Sequence, residues 1–208
     1  MTYALKIKSH SSEDRLEKLI DERLKPGADK KAIDQRIWDL FGEEWAIMFT
    51  DLSGFSRQVA EFGIIHFLQI INESKKNLVP IIDEYDGILL KLEGDSMMII
   101  FRNPQKAIDC AVSMQKVMKN YNQNKIEAEK NLLCIGIGFG KVLRIGDDDV
   151  FGAEVNAASK LGEDTAKANE IIVTGNVMRS VHSLNYKFEK MEIIPPGADS
   201  AYRLVYSI

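Results

Sequence analysis

Apolar positions follow two different periods along this chain. From residue 11 to residue 42 the spacing is helical. "SSEDRLEKLIDERLK" puts Leu16, Leu19, Ile20 and Leu24 on one stripe, with Ser11 or Ser12 as N-cap and acids in the first turn. Pro26-Gly27 interrupts it, and "DKKAIDQRIWDLFG" gives a second short amphipathic helix ending at Gly42. We expect residues 1–43 to be a helical extension that packs on the main domain or on a second copy of it.

From Glu44 the pattern alternates between strand and helix. "WAIMFTD" reads as a strand, and "SRQVAEFGIIHFLQIINESKKNLVPIIDEYDG" as helix with a turn or kink near Pro80. "ILLKLEGD" and "SMMIIFR" are strands joined by a tight Gly94-Asp95 turn. "PQKAIDCAVSMQKVMKNYNQ" is a helix with Pro104 in its first turn. "LLCIGIGFGKVLRIG" is strand-like, "GAEVNAASKLGEDTAKA" helical and "EIIVTGNV" a strand. "YKFEKMEII" and "AYRLVYSI" form a terminal pair. Strand, helix, two strands, helix, strand predicts an α+β fold: a ferredoxin-like βαββαβ antiparallel sheet with helices on one face, over residues 44–208.

Composition narrows the field. The 208 residues are 45% hydrophobic and 28% charged, an ordinary globular balance, and the net charge of -4 argues against nucleic acid or an anionic membrane as partner. The N-terminus lacks the order of a signal peptide, and no apolar run reaches the ~18 residues of a membrane span. Cys110 and Cys134 lie in apolar stretches without ligand spacing, so buried free thiols in a cytoplasmic protein are expected. His10, His66 and His182 are scattered. "GIGFG" (Gly136, Gly138, Gly140) opens no helix, so its glycines are expected to permit close backbone approach rather than to form a dinucleotide loop.

Chemistry centres on "AIMFTDLSGFS", where Asp51 closes an apolar run. An aspartate at the mouth of a buried strand is costly to desolvate without a cation. In the predicted sheet the first strand lies beside the hairpin strands, so Asp51 and Asp95 reach one edge together. Two carboxylates there raise each other's pKa, and a divalent cation removes the conflict; hard oxygen ligands favour Mg²⁺ or Mn²⁺. Singly, each has another use, Asp51 as a helix cap and Asp95 as a turn residue.

"FTDLSGFS", "KLEGDSMM", "GIGFGKV" and "DVFGAEVNAASKL", in this order, resemble the class III adenylate/guanylate cyclases over roughly residues 44–180. That resemblance implies conversion of ATP or GTP to a 3′,5′-cyclic nucleotide and pyrophosphate, with two metal ions per site at the interface of a head-to-tail homodimer. It places metal binding on Asp51, Asp95 and the backbone carbonyl of Leu52. The pattern K-x-x-G-D puts the base-reading lysine at Lys91, and D-x-aromatic-G fixes its partner at Asp149 among Asp147, Asp148 and Asp149. Adenine offers a ring acceptor to a lysine and an amine donor to an aspartate, whereas guanine inverts these polarities. Lys91 with Asp149 therefore implies ATP and a cyclic AMP product. Without the flanking blocks, the two read as a snorkelling strand lysine and a solvated acidic turn.

The resemblance also places the ribose-orienting asparagine at Asn156, and Lys160 stands where the family has an arginine at the transition state. Spacing of i, i+4 sets both on one helical face. Lysine keeps the cation but loses the bidentate fork, so slower turnover is expected. Backbone N–H groups of Ser53-Gly54-Phe55 are expected to face phosphate at a helix start. Near the last hairpin, where the family often has Lys-Gly-Lys with a lysine on the polyphosphate, "IIPPGADSAYRL" has Pro196 ahead of Gly197 and no lysine, and the short "RIGDDDVFG" implies a reduced dimer-contact arm. The alternatives are a catalytically weak nucleotide-binding regulatory or dimerisation module, and a cyclase for GTP or a pyrimidine nucleotide.

Overall fold

The computed structural model describes residues 11–54, 59, 62–181 and 186–207. Helices α1 (Ser11–Leu24) and α2 (Lys30–Phe41) come first, and Asp29 caps α2 by accepting from the Ala32 N–H at 3.0 Å. Leu19, Ile33, Ile37 and Phe41 bury together with Ile145 of the main sheet, and an Arg23–Asp34 ion pair ties the two helices. Strand β1 (Gly42–Leu52) follows directly.

The remaining elements are α3 (Ile64–Glu84), β2 (Ile88–Glu93), β3 (Ser96–Phe101), α4 (Pro104–Asn122), β4 (Leu133–Ile145), β5 (Asp149–Phe151), α5 (Ala153–Ser159), β6 (Ile171–Thr174), α6 (Gly175–Ser180), β7 (Lys187–Lys190) and β8 (Ala201–Val205). They build an eight-stranded sheet of order β2-β3-β1-β4-β6-β8-β7, with β5 paired to β4. Its first four strands are antiparallel neighbours in the ferredoxin-like order, and only β4–β6 is a parallel pair among the described strands. The mixed α+β architecture expected from the pattern is the one observed.

The long helices α3 and α4 cover one face, where Met48, Phe67, Leu78, Ile82, Ile99, Ile108 and Met114 are buried. Each such side chain contributes about 1.5–3 kcal/mol of transfer free energy. No turn interrupts the helix at Pro80: α3 runs through it, with Pro80 on the exposed side. The opposite face is not bare. Trp45, Ile47, Met98, Ile100 and Val142 are buried there beneath Ala158 of α5.

The glycines of "GIGFG" explain how α5 comes so close. A Cβ on Gly136 would meet Ala158 O at 2.2 Å and Gly162 N at 2.3 Å, and one on Gly138 would meet Glu154 O at 2.4 Å. Their close approach is therefore to α5 and to the turn that follows it. "EIIVTGNV" stays extended only to Thr174, because Gly175 turns into α6 with its N–H on Ser200 O at 2.8 Å. Cys110 and Cys134 are free and buried, and burial pushes both thiols up to about 12. No described helix is long and apolar enough to cross a membrane.

Candidate functional site

The β1–β3 register runs from Ala46↔Phe101 to Thr50↔Met97, so the end of β1 arrives beside the β2–β3 turn. Gly94, at φ +61, makes that turn and leaves Asp95 next to Asp51. The two carboxyl groups are half-buried and hydrogen-bonded to each other. Burial first, and then the charge of Asp95, push the Asp51 carboxyl up to about 7; Asp95 is also raised, chiefly by burial. The Leu52 N–H opposes this by donating to both.

Leu52 faces Leu133, while the next N–H, of Ser53, donates to Leu132 O at 2.9 Å. In an antiparallel ladder this makes Leu52 a non-hydrogen-bonded position, with its N–H and C=O both directed away from β4 toward the Asp95 side. Its carbonyl is thereby aimed at the carboxylate pair. The same bond commits the Ser53 N–H to the ladder, so it is not the free phosphate donor expected from the sequence. Phe55 lies outside the described residues.

Two carboxylates and a carbonyl fit Mg²⁺ or Mn²⁺. Such cations take one or two protein carboxylates and complete their shell with water and substrate phosphate. Among the described residues there is no cluster of three or more His, Cys, Asp or Glu that could hold a metal ion.

Lys91 and Asp149 meet on the face covered by α5. Lys91 Nζ donates to Asp149 Oδ2 at 2.6 Å, and Asp149 Oδ1 accepts from the Val150 N–H at 2.9 Å. A bulge delivers Lys91 to this face. Leu89 pairs with Ile99, and regular alternation would turn Lys91 into the helix-covered core; the register shift sets it opposite Met98 instead. The pair lines a cavity of about 280 Å³ with Phe49, Met98, Val150 and Val155 as apolar walls and Ser96 and Glu163 at its polar side.

Asn156 and Lys160 are exposed and engaged elsewhere. Asn156 Nδ2 donates to Pro196 O at 3.1 Å, and Lys160 Nζ sits 2.6 Å from Asp164 Oδ2. The α-helix expected through this segment ends at Ser159, and a π-turn spans Lys160–Thr165. The Lys160 N–H still reaches Asn156 O, so the i, i+4 relation of the two side chains survives. Two acids lay outside the reading of the sequence. Glu154 is buried and accepts from the Phe139 N–H, Thr174 Oγ1 and Asn176 Nδ2. Glu163 accepts from Ser96 and Ser159 and adds negative potential at Asp51 and Asp95. Gly162, a helix breaker just before Glu163, was the available signal.

Known proteins resemble this chain in sequence and in fold. Residues 42–199 match the model of the adenylate and guanylate cyclase catalytic domain. The chain is 27% identical over 128 residues to the serine/threonine-protein kinase pkn2 of Myxococcus xanthus, covering 62% of this chain and 15% of that protein. Against the putative adenylate cyclase 3 of Rhizobium meliloti it is 26% identical over 137 residues, covering 66% and 23%. It thus spans less than a quarter of either relative. Among solved structures, an adenylate/guanylate cyclase/hydrolase from Silicibacter pomeroyi superposes with TM-score 0.69 at 24% identity, covering 80% of this chain and 98% of that one. The adenylyl cyclase CyaB from P. aeruginosa gives 0.66 at 21%, covering 80% and 96%, and the guanylyl cyclase Cya2 gives 0.62 at 18%, covering 78% and 92%. At these identities the structural likeness is one of fold, whereas the family match spans three quarters of the chain. The chain belongs to the adenylate and guanylate cyclase catalytic domain family.

Proposed function

We propose that this domain is an adenylate cyclase that converts ATP to 3′,5′-cyclic AMP and pyrophosphate at sites shared between two copies of the chain, in the cytoplasm where the triphosphate is available. The observation that carries this reading is the meeting of Asp51 and Asp95, two half-buried acids whose mutual conflict a divalent cation relieves. Two Mg²⁺ or Mn²⁺ ions held by Asp51, Asp95 and the Leu52 carbonyl would acidify the ribose 3′-hydroxyl and offset charge on the departing pyrophosphate.

The chain's own groups supply orientation and charge. Lys91 and Asp149 separate from one another to donate to an adenine ring nitrogen and accept from its amine, over the apolar walls of Phe49, Met98 and Val155. Asn156 exchanges the Pro196 carbonyl for the ribose. Lys160 leaves Asp164 to meet charge developing on the α-phosphate. Since the family divides each site between two subunits, we assign Lys91, Asp149, Asn156 and Lys160 of one copy to the metal pair of the other, which makes a monomer inactive.

The Lys160–Asp164 ion pair also favours the second reading, a nucleotide-binding regulatory module with weak turnover, since the transition-state cation is already neutralised. One assay separates the two. Purified protein is incubated with Mn²⁺ or Mg²⁺ and each of the four nucleoside triphosphates, and cyclic product and pyrophosphate are measured. Cyclic AMP from ATP is expected. Nucleotide binding with no cyclic product from any of the four would establish the module, and cyclic GMP alone would reassign the base.

A further inference from the structure

We propose that Glu163 is a positioning residue that straps the turn bearing Asp95 to the end of the helix bearing Asn156 and Lys160. Glu163 Oε1 accepts from Ser96 Oγ at 2.8 Å, and Ser96 directly follows Asp95. Glu163 Oε2 accepts from Ser159 Oγ, and Ser159 directly precedes Lys160. One carboxylate therefore ties the Asp95 turn to the end of α5.

Glu163 lies in the π-turn that follows α5. It meets Ser159 at i, i+4 spacing, while Asp164 meets Lys160 at the same spacing. Gly162 fixes the turn in place: a Cβ there would meet Phe49 O at 2.8 Å and Gly136 N at 2.9 Å, so the turn lies directly on β1 and β4. Glu163 then rises from a rigid base to the β2–β3 turn and forms part of the wall of the Lys91–Asp149 cavity.

This inference rests on the reading of Asp51 and Asp95 as cation ligands. In a split site the turn serves one reaction centre and Lys160 the other, so the strap joins the two centres through a single chain. A supporting residue of this kind typically changes metal affinity by about 10–100-fold when lost.

Two measurements on the whole chain test it. First, Mn²⁺ binding to nucleotide-free protein is followed by electron paramagnetic resonance. Glu163→Ala and Ser96→Ala should each bind about tenfold more weakly or worse, and Glu163→Gln should recover most of the affinity, because its amide still accepts from Ser96 and can donate to Ser159. Asp95→Asn serves as the control that abolishes binding. Wild-type affinity in Glu163→Ala, with binding lost in Asp95→Asn, would overturn the strap and leave the cation site standing. Undiminished binding in Asp95→Asn would instead overturn the cation reading.

Second, amide exchange is measured without cations. Glu163→Ala should speed exchange at Gly94–Ser96 and at Lys160–Thr165 together, while Glu163→Gln does not. Unchanged exchange at both segments would overturn the strap whether or not a cation binds.

Discussion

Lys91 Nζ lies 2.6 Å from Asp149 Oδ2, joining residues 58 positions apart across the mouth of an apolar cavity. Both side chains are about one-third exposed, and an ion pair in that setting contributes about 0–1 kcal/mol to stability. A bulge that costs regular pairing is a poor bargain for so little. Stability alone does not account for the pair, which fits the base-reading role proposed for it.

Exchanging this pair should therefore alter base choice more than stability. Lys91→Glu combined with Asp149→Ser reverses the donor and acceptor offered to the purine. We expect the ratio of kcat/KM for ATP over GTP to fall about a hundredfold or more, because an unpaired buried polar group penalises the wrong base strongly. Chemical denaturation should change by less than ~1 kcal/mol. An unchanged ratio would separate the pair from base recognition.

Asp51 makes stability and cation binding depend on pH. Its carboxyl stands at about 7 in the folded, cation-free chain, against an ordinary value of 3.8. Between those limits the folded state holds a proton that the unfolded state has released, so the cation-free protein loses stability as pH rises from about 4 to about 7. Asp51→Asn should flatten that part of the melting curve. A divalent cation needs the ionised carboxylate, so affinity should rise with pH up to about 7 and then level off, and binding at pH 6 should release protons. Calorimetry in buffers of different ionisation enthalpy measures that release.

Gly136 carries the approach of α5 to the sheet. In Gly136→Ala the added Cβ collides with two backbone atoms, Ala158 O and Gly162 N, which cannot swing aside as a side chain would. Overpacking of this kind costs about 1–3 kcal/mol. The midpoint of urea unfolding should fall accordingly, and activity should fall further, because α5 and its π-turn hold Asn156, Lys160 and Glu163.

Lys160 is expected to limit the rate. Lys160→Arg restores a planar fork able to meet two phosphate oxygens, and kcat should rise several-fold with little change in KM. Lys160→Ala should lower kcat about tenfold or more, again with KM nearly constant, as befits an interaction made mainly in the transition state. A change confined to KM would place Lys160 in ground-state binding.

Much of the scaffold was legible because strands and long helices announce themselves by period. The apolar run ending at Asp51, the Gly94-Asp95 turn and the stripes of α3 and α4 each fixed one piece of the sheet order. What stayed hidden depends on contacts between distant segments. Nothing local in "ILLKLEGD" marks a bulge at Leu90, since either phase of alternation is compatible with that sequence. β5 is three residues long and follows a run of acids, so its pairing with β4 was hidden. The switch from α to π spacing at Lys160 leaves the helical period almost intact, so nothing local singles out Glu163. Val173-Thr174-Gly175 favours extension locally, and the turn into α6 comes from the Ser200 carbonyl that Gly175 meets.

Crystals of the protein grown with Mn²⁺ and a 3′-deoxy ATP, which cannot cyclise, would place the cation directly by its anomalous scattering. The predicted result is a peak within coordination distance of carboxylate oxygens from both Asp51 and Asp95 and of the triphosphate. A bound nucleotide whose phosphates carry no anomalous peak at these two side chains, or a peak lying elsewhere on the sheet, would contradict it.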